Sequence, residues 1–359
     1  MSSASNYSSL KIFHHKDLLD NLKLNNTAFP IYIRIKPTNK CNHNCSYCTY
    51  GSGKSNSKSK NRGIIKEQDS IEWDKMQEII IDMAECGVKA VTFSGGGEPL
   101  LYPKIIETVD LIKEHKIDLS LITNGQLLQG EIAKRFYKAK WIRISFDSPD
   151  AEEYSKIRAI PLAAFKQVCD NIEKFAENKR GSCTLGINFV VSKYNYHRVY
   201  EAAELLKKLG VDNIKFAAVV DNDPNYHLGI KDSVIAQIHR AQDKLTDNSF
   251  SIINNYETDC DYRYDKILLF ENCYTCKLVT VIAADSCLYA CHTRAYDKNA
   301  FIGNLKEKSF KEVWQSDETQ KRLTLINPAN DCKNFCAYED RNMIIESYLK
   351  IDENHLNFI

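Results

Sequence analysis

The chain has 359 residues, 43% hydrophobic and 26% charged, with a net charge of +1, the composition of a globular chain with a core to bury. It carries no electrostatic footprint for nucleic acid or an anionic membrane surface, and no apolar run nears the roughly 20 residues that span a bilayer. Met1 to Ser9 is rich in Ser and Asn and lacks the apolar segment of a signal peptide, so the expected location is the cytoplasm.

After an N-terminal extension of residues 1–30, strand-like and helix-like segments alternate as far as about Val220. Strands are predicted at Ile31–Lys36, Ala90–Ser94, Ile117–Ile122, Trp141–Phe146, Leu185–Val191 and Ile214–Val220, where β-branched and aromatic residues gather. Ile71, Met76, Ile79, Ile80 and Met83 recur at the helical period, and Gly87 supplies the stop. Further helices are predicted at Pro103–His115, Glu131–Lys138 and Tyr200–Leu209. Successive βα units over residues 31–220 imply a parallel sheet, because a right-handed crossover returns each strand in the same direction. Such sheets gather ligands at the C-terminal ends of their strands. Cys41, Gly95–Glu98, Thr123–Gly125 and Asp147 all fall just after a strand.

Gly51 to Gly63 is low in complexity and carries Lys54, Lys58, Lys60 and Arg62. It reads either as a solvated linker or as a basic lid over an anionic substrate. The alternation is expected to end near Asp221, leaving residues 221–272 as a connecting segment that carries substrate specificity. A unit of residues 273–340 follows, with a predicted hairpin turning at Asp285-Ser286, then Ile302-Gly-Asn-Leu305 and a helix around Trp314. Residues 341–359 form a C-terminal helix or tail.

There are 13 cysteines, and a reducing compartment does not favour a disulfide framework. Cys86, Cys169 and Cys183 fall in regular elements and read as small buried hydrophobes. The others cluster, at 41–48 and between Cys260 and Cys336, which points to metal. Cys41, Cys45 and Cys48 are spaced C-x3-C-x2-C. That loop offers three thiolates, one short of the four that close an iron–sulfur cube. Zinc is the alternative, but zinc ribbons pair such a motif with a second half-site close by, and no cysteine follows Cys48 until Cys86.

This spacing, with Tyr47 before the last cysteine and Gly96-Gly97-Glu98-Pro99 after the second strand, resembles the radical S-adenosylmethionine (radical SAM) enzymes. The resemblance implies an α/β fold, a partial (β/α)6 TIM-like barrel with a C-terminal β-hairpin/helix auxiliary cluster domain. It implies a [4Fe–4S] cluster held by Cys41, Cys45 and Cys48, whose open iron chelates SAM. One-electron reduction, from a donor such as flavodoxin or ferredoxin, would then release a 5′-deoxyadenosyl radical. By the same resemblance, Gly96, Gly97, Glu98 and Pro99 face the amino group of SAM, and Tyr47 lies near its adenine. Ser145, Asp147, Asn188 and Ser192 would reach the ribose, Arg158 the methionyl carboxylate, and Asn124 a supporting position. Three of these have a plainer reading: an Asn-Gly turn at Asn124, a satisfied loop carboxylate at Asp147, a surface ion pair at Arg158.

The order of the C-terminal cysteines resembles the twitch and SPASM subfamilies. That match assigns Cys276, Cys291, Cys332 and Cys336 to one auxiliary [4Fe–4S] cluster, with zinc as the alternative. Ten residues separate Cys276 from Cys287, which departs from the full SPASM spacing and leaves Cys260, Cys273 and Cys287 unassigned. Cys260 is a candidate hydrogen donor and His292 a candidate base, with His197 and His227 as further bases by type. The resemblance to small-molecule twitch enzymes implies a carbohydrate-type substrate, a sugar, nucleotide sugar or aminocyclitol, that is oxidised or epimerised. The alternative is a peptide- or protein-modifying SPASM maturase, although the short extension before the first strand is too small for a recognition domain. A non-catalytic iron–sulfur carrier or sensor is a lesser alternative that leaves the Gly-Gly-Glu-Pro stretch unexplained.

Overall fold

The structure, a computed structural model, describes residues 8–24, 28–50, 65–221, 223–262, 268–332, 336–355 and 357. The stretch with Lys54, Lys58, Lys60 and Arg62 lies outside the described residues. Among the described residues ten strands form one sheet: β1 Tyr32–Ile35, β2 Ala90–Phe93, β3 Asp118–Thr123, β4 Trp141–Ser145, β5 Thr184–Val191, β6 Asn213–Ala218, β7 Ser251–Asn254, β8 Val279–Ile282, β9 Cys287–Tyr289 and β10 Phe301–Asn304. Their order is β10-β9-β8-β1-β2-β3-β4-β5-β6-β7. From β8 through β1 to β7 every pairing is parallel, and β9 and β10 add antiparallel strands at one side. The sheet does not close on itself, so the fold is a partial α/β barrel with β7 and β10 as its edges.

Alternation along the strands sorts the two faces. Ile33, Ile35, Val91, Phe93, Leu121, Ile142, Ile144, Ile187, Phe189, Ile214 and Phe216 are fully buried in the main core. They share it with Met76, Ile79, Ile80 and Met83, the apolar stripe of the helix Trp73–Glu85. The residues between them in sequence, among them Arg34, Arg143, Ser145, Asn188 and Lys215, keep part of their surface accessible. They take the inner face of the sheet. Among the described residues no helix is long and apolar enough to cross a membrane.

Two features depart from expectation. The alternation does not end at Asp221, because the helix Lys231–Leu245 leads into β7, which pairs in parallel with β6. This strand reads Ser-Ile-Ile-Asn and buries only Ile252, too short a signal for periodicity to catch. The second departure concerns the hairpin, which joins the barrel sheet: β8 pairs with β1 from Tyr32↔Val279 to Ile35↔Ile282. Pairing over so long a sequence separation has no local signature. The two ends of the chain also meet, since Ile345 packs with Ile12, Leu19, Leu22 and Leu278.

Candidate active site

The loop with Cys41, Cys45 and Cys48 leaves the C-terminal end of β1. It is pinned to the helix Ala151–Arg158, whose last carbonyls accept from Ser46 N (Ile157 O, 2.9 Å) and Asn44 N (Arg158 O, 3.0 Å). None of the three is in a disulfide; Cys41 is exposed and the other two are half-buried. Burial pushes the Cys41 thiol up to about 11 and the Cys45 thiol up to about 12. Neither ionises alone near neutrality, so the thiolate form that ligates iron needs the positive charge of the metal itself. Three thiols on one loop fit a cube with one corner left for another ligand. Tyr50 N donates to Cys48 Sγ at 3.4 Å.

The glycine loop lies against the backbone before Cys41. Gly97 N donates to Thr38 O at 3.1 Å and Glu98 N to Lys40 O at 2.8 Å. A Cβ on Gly97 would collide with the carbonyl of Lys40, and one on Gly96 with the Asn39 side chain. The approach therefore requires glycine at both positions. Glu98 is buried, and its carboxylate accepts from Thr123 Oγ1 (2.7 Å), Asn124 N (2.8 Å) and Leu100 N (3.1 Å). In this arrangement Glu98 ties the end of β2 to the end of β3. Its pKa is raised by burial, against the pull of those donors.

Asp147 and Arg158 meet each other. Arg158 Nη2 and Asp147 Oδ2 are 2.6 Å apart, with both side chains enclosed, and Tyr47 OH donates to the same oxygen at 2.5 Å. Val190 N donates to Asp147 Oδ1 at 3.2 Å. The predicted ribose, carboxylate and adenine contacts are thus three parts of one buried network. Arg158 Nε is buried there without a hydrogen-bond partner. Ser145 and Asn188 are register neighbours on β4 and β5, on the inner side. Ser192 instead bonds within its own turn, its hydroxyl 3.2 Å from Asn195 Oδ1.

The sequence reading missed the polar bracing of the cluster loop. Asn124 Nδ2 donates to Asn42 Oδ1 at 2.8 Å, while Asn42 Nδ2 and His43 Nε2 both reach Gln126 Oε1 at 2.9 Å. Asn39 accepts a short hydrogen bond from Tyr296 OH, which links the loop to the segment after the hairpin. The usable signal was Asn39, Asn42 and His43 flanking Cys41. Lys36 was also missed; it is buried at the end of β1 and donates to Tyr50 OH at 2.7 Å.

Beside the barrel, a small cavity, partly open to solvent, is lined by Cys273, Cys276, Cys291, Cys332 and Cys336. All four cysteines predicted for the auxiliary cluster are there, together with Cys273, which the sequence left unassigned. Burial pushes Cys332 and Cys336 up to about 12, and each also feels Cys273 and Cys291. Cys276 Sγ is turned to the Cys273 carbonyl at 2.8 Å. Among the described residues no three His, Cys, Asp or Glu side chains close to the spacing of a single ion. Thiols spread around a cavity suit the corners of a cube. Arg34 and Lys36 lie on the barrel side of this cavity, near enough to Cys291 to feel its charge.

The other candidates lie elsewhere. Cys260 sits on the helix Tyr256–Tyr262, packed against the main core, and Cys287 Sγ faces Asp285 O at 3.7 Å; neither lines the cysteine cavity. His197 pairs with Glu153 at 3.0 Å, half-exposed. His227 is held between Tyr256 OH and Val219 O, each at 3.1 Å. His292 follows Cys291 and faces Tyr338, ring centroids 5.3 Å apart. Burial and then Arg34, Lys36 and Lys215 hold its imidazole well below the usual range, so it is neutral.

A partial parallel barrel with three cysteines at one strand end and a second cysteine cavity beside it defines a class of iron–sulfur enzymes. A family model of the radical SAM superfamily matches residues 35–190, and one of the SPASM iron–sulfur cluster-binding domain matches residues 273–338. The chain belongs to the radical SAM superfamily and carries a SPASM-like auxiliary domain. Membership brings a [4Fe–4S] cluster that works with SAM, and auxiliary cluster chemistry.

The tungsten-containing aldehyde ferredoxin oxidoreductase cofactor-modifying protein of Pyrococcus furiosus is 23% identical over 314 residues, covering 80% of this chain and 81% of that protein. A probable GTP 3′,8-cyclase of Methanococcus aeolicus is 29% identical over 232 residues, 61% of this chain and 70% of that one. Among solved structures, Streptococcus suis SuiB bound to its precursor peptide SuiA superposes with a TM-score of 0.62 at 16% identity. That likeness, over 88% of this chain and 71% of SuiB, is one of fold.

Proposed function

We propose that this chain cleaves SAM reductively and uses the 5′-deoxyadenosyl radical to modify a peptide or a protein segment. The observation that carries this reading is the open side of the barrel between the edges β7 and β10. A lateral opening admits an extended chain, whereas a closed barrel admits only what fits its mouth. The likeness to SuiB in complex with a peptide supports the same reading. The expectation of a carbohydrate substrate gains no support from these comparisons.

The roles divide among this chain's own residues. Cys41, Cys45 and Cys48 would hold the first cluster, and four of the five cavity cysteines the second. When bound, the first supplies the electron that splits SAM and the second a further redox partner beside the substrate. The Gly96–Pro99 loop and the Tyr47–Asp147–Arg158 network shape the SAM pocket. Enclosure by the strands excludes water, which would otherwise compete for the radical.

A second reading, an anionic small molecule, is favoured by the cations on the inner side of the barrel, Arg34, Arg143 and Lys215. Relatives named for GTP and for a metal cofactor agree with it. The test is anaerobic incubation of the reconstituted chain with SAM, reductant and synthetic peptide mixtures, read by mass spectrometry. The reading predicts 5′-deoxyadenosine above the peptide-free rate together with a peptide of altered mass. A response to nucleotides and none to peptides would replace it with the second reading.

A further inference from the structure

Two basic side chains on the inner side of the barrel, buried Lys36 and half-buried Arg34, are not accompanied by carboxylates among the described residues. Lys36 is 1% exposed, and its hydrogen-bond partner is a neutral hydroxyl, Tyr50 OH at 2.7 Å. Arg34, two residues earlier and on the same strand face, donates through Nε to Tyr32 OH at 3.0 Å. Neither is paired with a carboxylate among the described residues. Lys36 also lies over the Tyr50 ring at 4.0 Å, and burial with Arg34 beside it pushes its ammonium down to about 7, so its charge is held where an anion offsets the cost of burying it.

A separate observation points to the same place. His292 Nδ1 and Tyr338 OH are buried polar atoms with no hydrogen-bond partner, and their rings are in edge contact at 5.3 Å. Tyr50 connects the two sets, since its hydroxyl takes the Lys36 hydrogen bond and donates to His292 O at 3.1 Å. Its own N–H meets Cys48 Sγ, so the whole group lies between the two cysteine sites. Anionic clusters at Cys48 and Cys291 would balance part of the charge on Lys36. Tyr338 lines the cysteine cavity itself, whereas His292 does not, and the His292 Nδ1 stays without a partner.

We propose that Arg34, Lys36, His292 and Tyr338 form the anchor for an oxyanion of the substrate, a carboxylate or a phosphate, held between the two cluster sites. Arg supplies a planar fork for either group and Lys a point charge, while His292 and Tyr338 add neutral donors. The inference rests on the barrel interior being the substrate chamber, and it does not depend on the substrate being a peptide.

The test uses the full chain with both clusters reconstituted and SAM present. Three probes are offered: inorganic pyrophosphate, citrate, and a labelled hexaglutamate peptide with hexaglutamine as control. Binding is read by equilibrium dialysis in wild type, Lys36→Met and Lys36→Arg, together with iron content and cluster midpoint potentials. At least one oxyanion should bind wild type, weaken about tenfold or more in Lys36→Met (about 1.4 kcal/mol), and recover in Lys36→Arg. Preference for pyrophosphate identifies a phosphate source, and preference for hexaglutamate or citrate a carboxylate. If Lys36→Met fails to load iron, Tyr338→Phe removes only a hydroxyl and should weaken binding about threefold or more. The inference is overturned if no oxyanion binds, if binding ignores both substitutions, or if Lys36→Met shifts only the potentials. Peptide modification without oxyanion binding would defeat this inference alone, and oxyanion binding without peptide modification would defeat only the proposed peptide substrate.

Discussion

Arg158 and Asp147 form a 2.6 Å ion pair in which both side chains are closed off from solvent. The pair joins the helix whose carbonyls hold the cluster loop to the end of β4. Removing one member strands a charge in a dry environment, and such losses run to about 3–5 kcal/mol. Asp147→Asn should therefore lower the stability of the metal-free chain by about that much. Asp147→Asn with Arg158→Met should recover most of the loss. Urea midpoints at constant slope measure both; an Asp147→Asn change within about 0.5 kcal/mol, the range of ordinary surface substitutions, would contradict the reading.

The glycine loop makes a sharper prediction about SAM. A methyl group on Gly97 meets the Lys40 and Asn39 backbone, which is anchored by the cysteine that follows. The loop must move, so Gly97→Ala should weaken SAM about tenfold or more while leaving iron content unchanged. Equilibrium dialysis with SAM and an iron assay separate the two effects. Unaltered SAM affinity would show that the loop's close approach does not shape the pocket.

Five thiols line the second cavity, and a cube has four corners. Serine at Cys291, Cys332 or Cys336 should each reduce iron from about eight to about four per chain. Cys273 and Cys276 are adjacent on one turn and hydrogen-bonded, so the remaining corner is expected from one of them. Full iron content in both Cys273→Ser and Cys276→Ser would count against the ligand set.

Acidity should act on the metal-free chain through His43. Burial, reinforced by Arg158, pushes its imidazole down to about 4, against about 6.5 in an unfolded chain. Between those values the unfolded chain binds a proton that the native chain refuses, so stability falls as pH drops through this window. The slope from this residue is at most about 1.4 kcal/mol per pH unit. His292, depressed by burial and by Arg34, Lys36 and Lys215, adds in the same direction. The stability gap between about pH 7 and about pH 5 should narrow in His43→Gln; an unchanged gap would refute its part.

The barrel strands β1–β6 and most of the crossover helices were legible because each carries its own periodicity, as in Met76, Ile79, Ile80 and Met83. The two helices between β4 and β5, Ala151–Arg158 and Ala163–Asn178, were not read from the sequence. The cysteine loop and Gly-Gly-Glu-Pro were legible because ligand chemistry demands fixed spacing in sequence. What the sequence could not show was pairing across space. β8 beside β1, Asp147 against Arg158 and the buried Lys36 all depend on residues far apart in the chain. Cys273 was obscured for a related reason, since spacing alone does not say which of two neighbouring thiols faces a cavity. β7 was lost because four residues with one buried side chain leave almost no pattern.

The most direct measurement is 5′-deoxyadenosine formation from SAM by the reduced, reconstituted chain, compared with a variant in which Cys41, Cys45 and Cys48 are serine. Wild type should release 5′-deoxyadenosine, faster with an accepted substrate, and the variant should release none while keeping iron at the second site. A wild-type chain with both sites loaded that leaves SAM intact under reduction would contradict the assignment of these residues to radical generation.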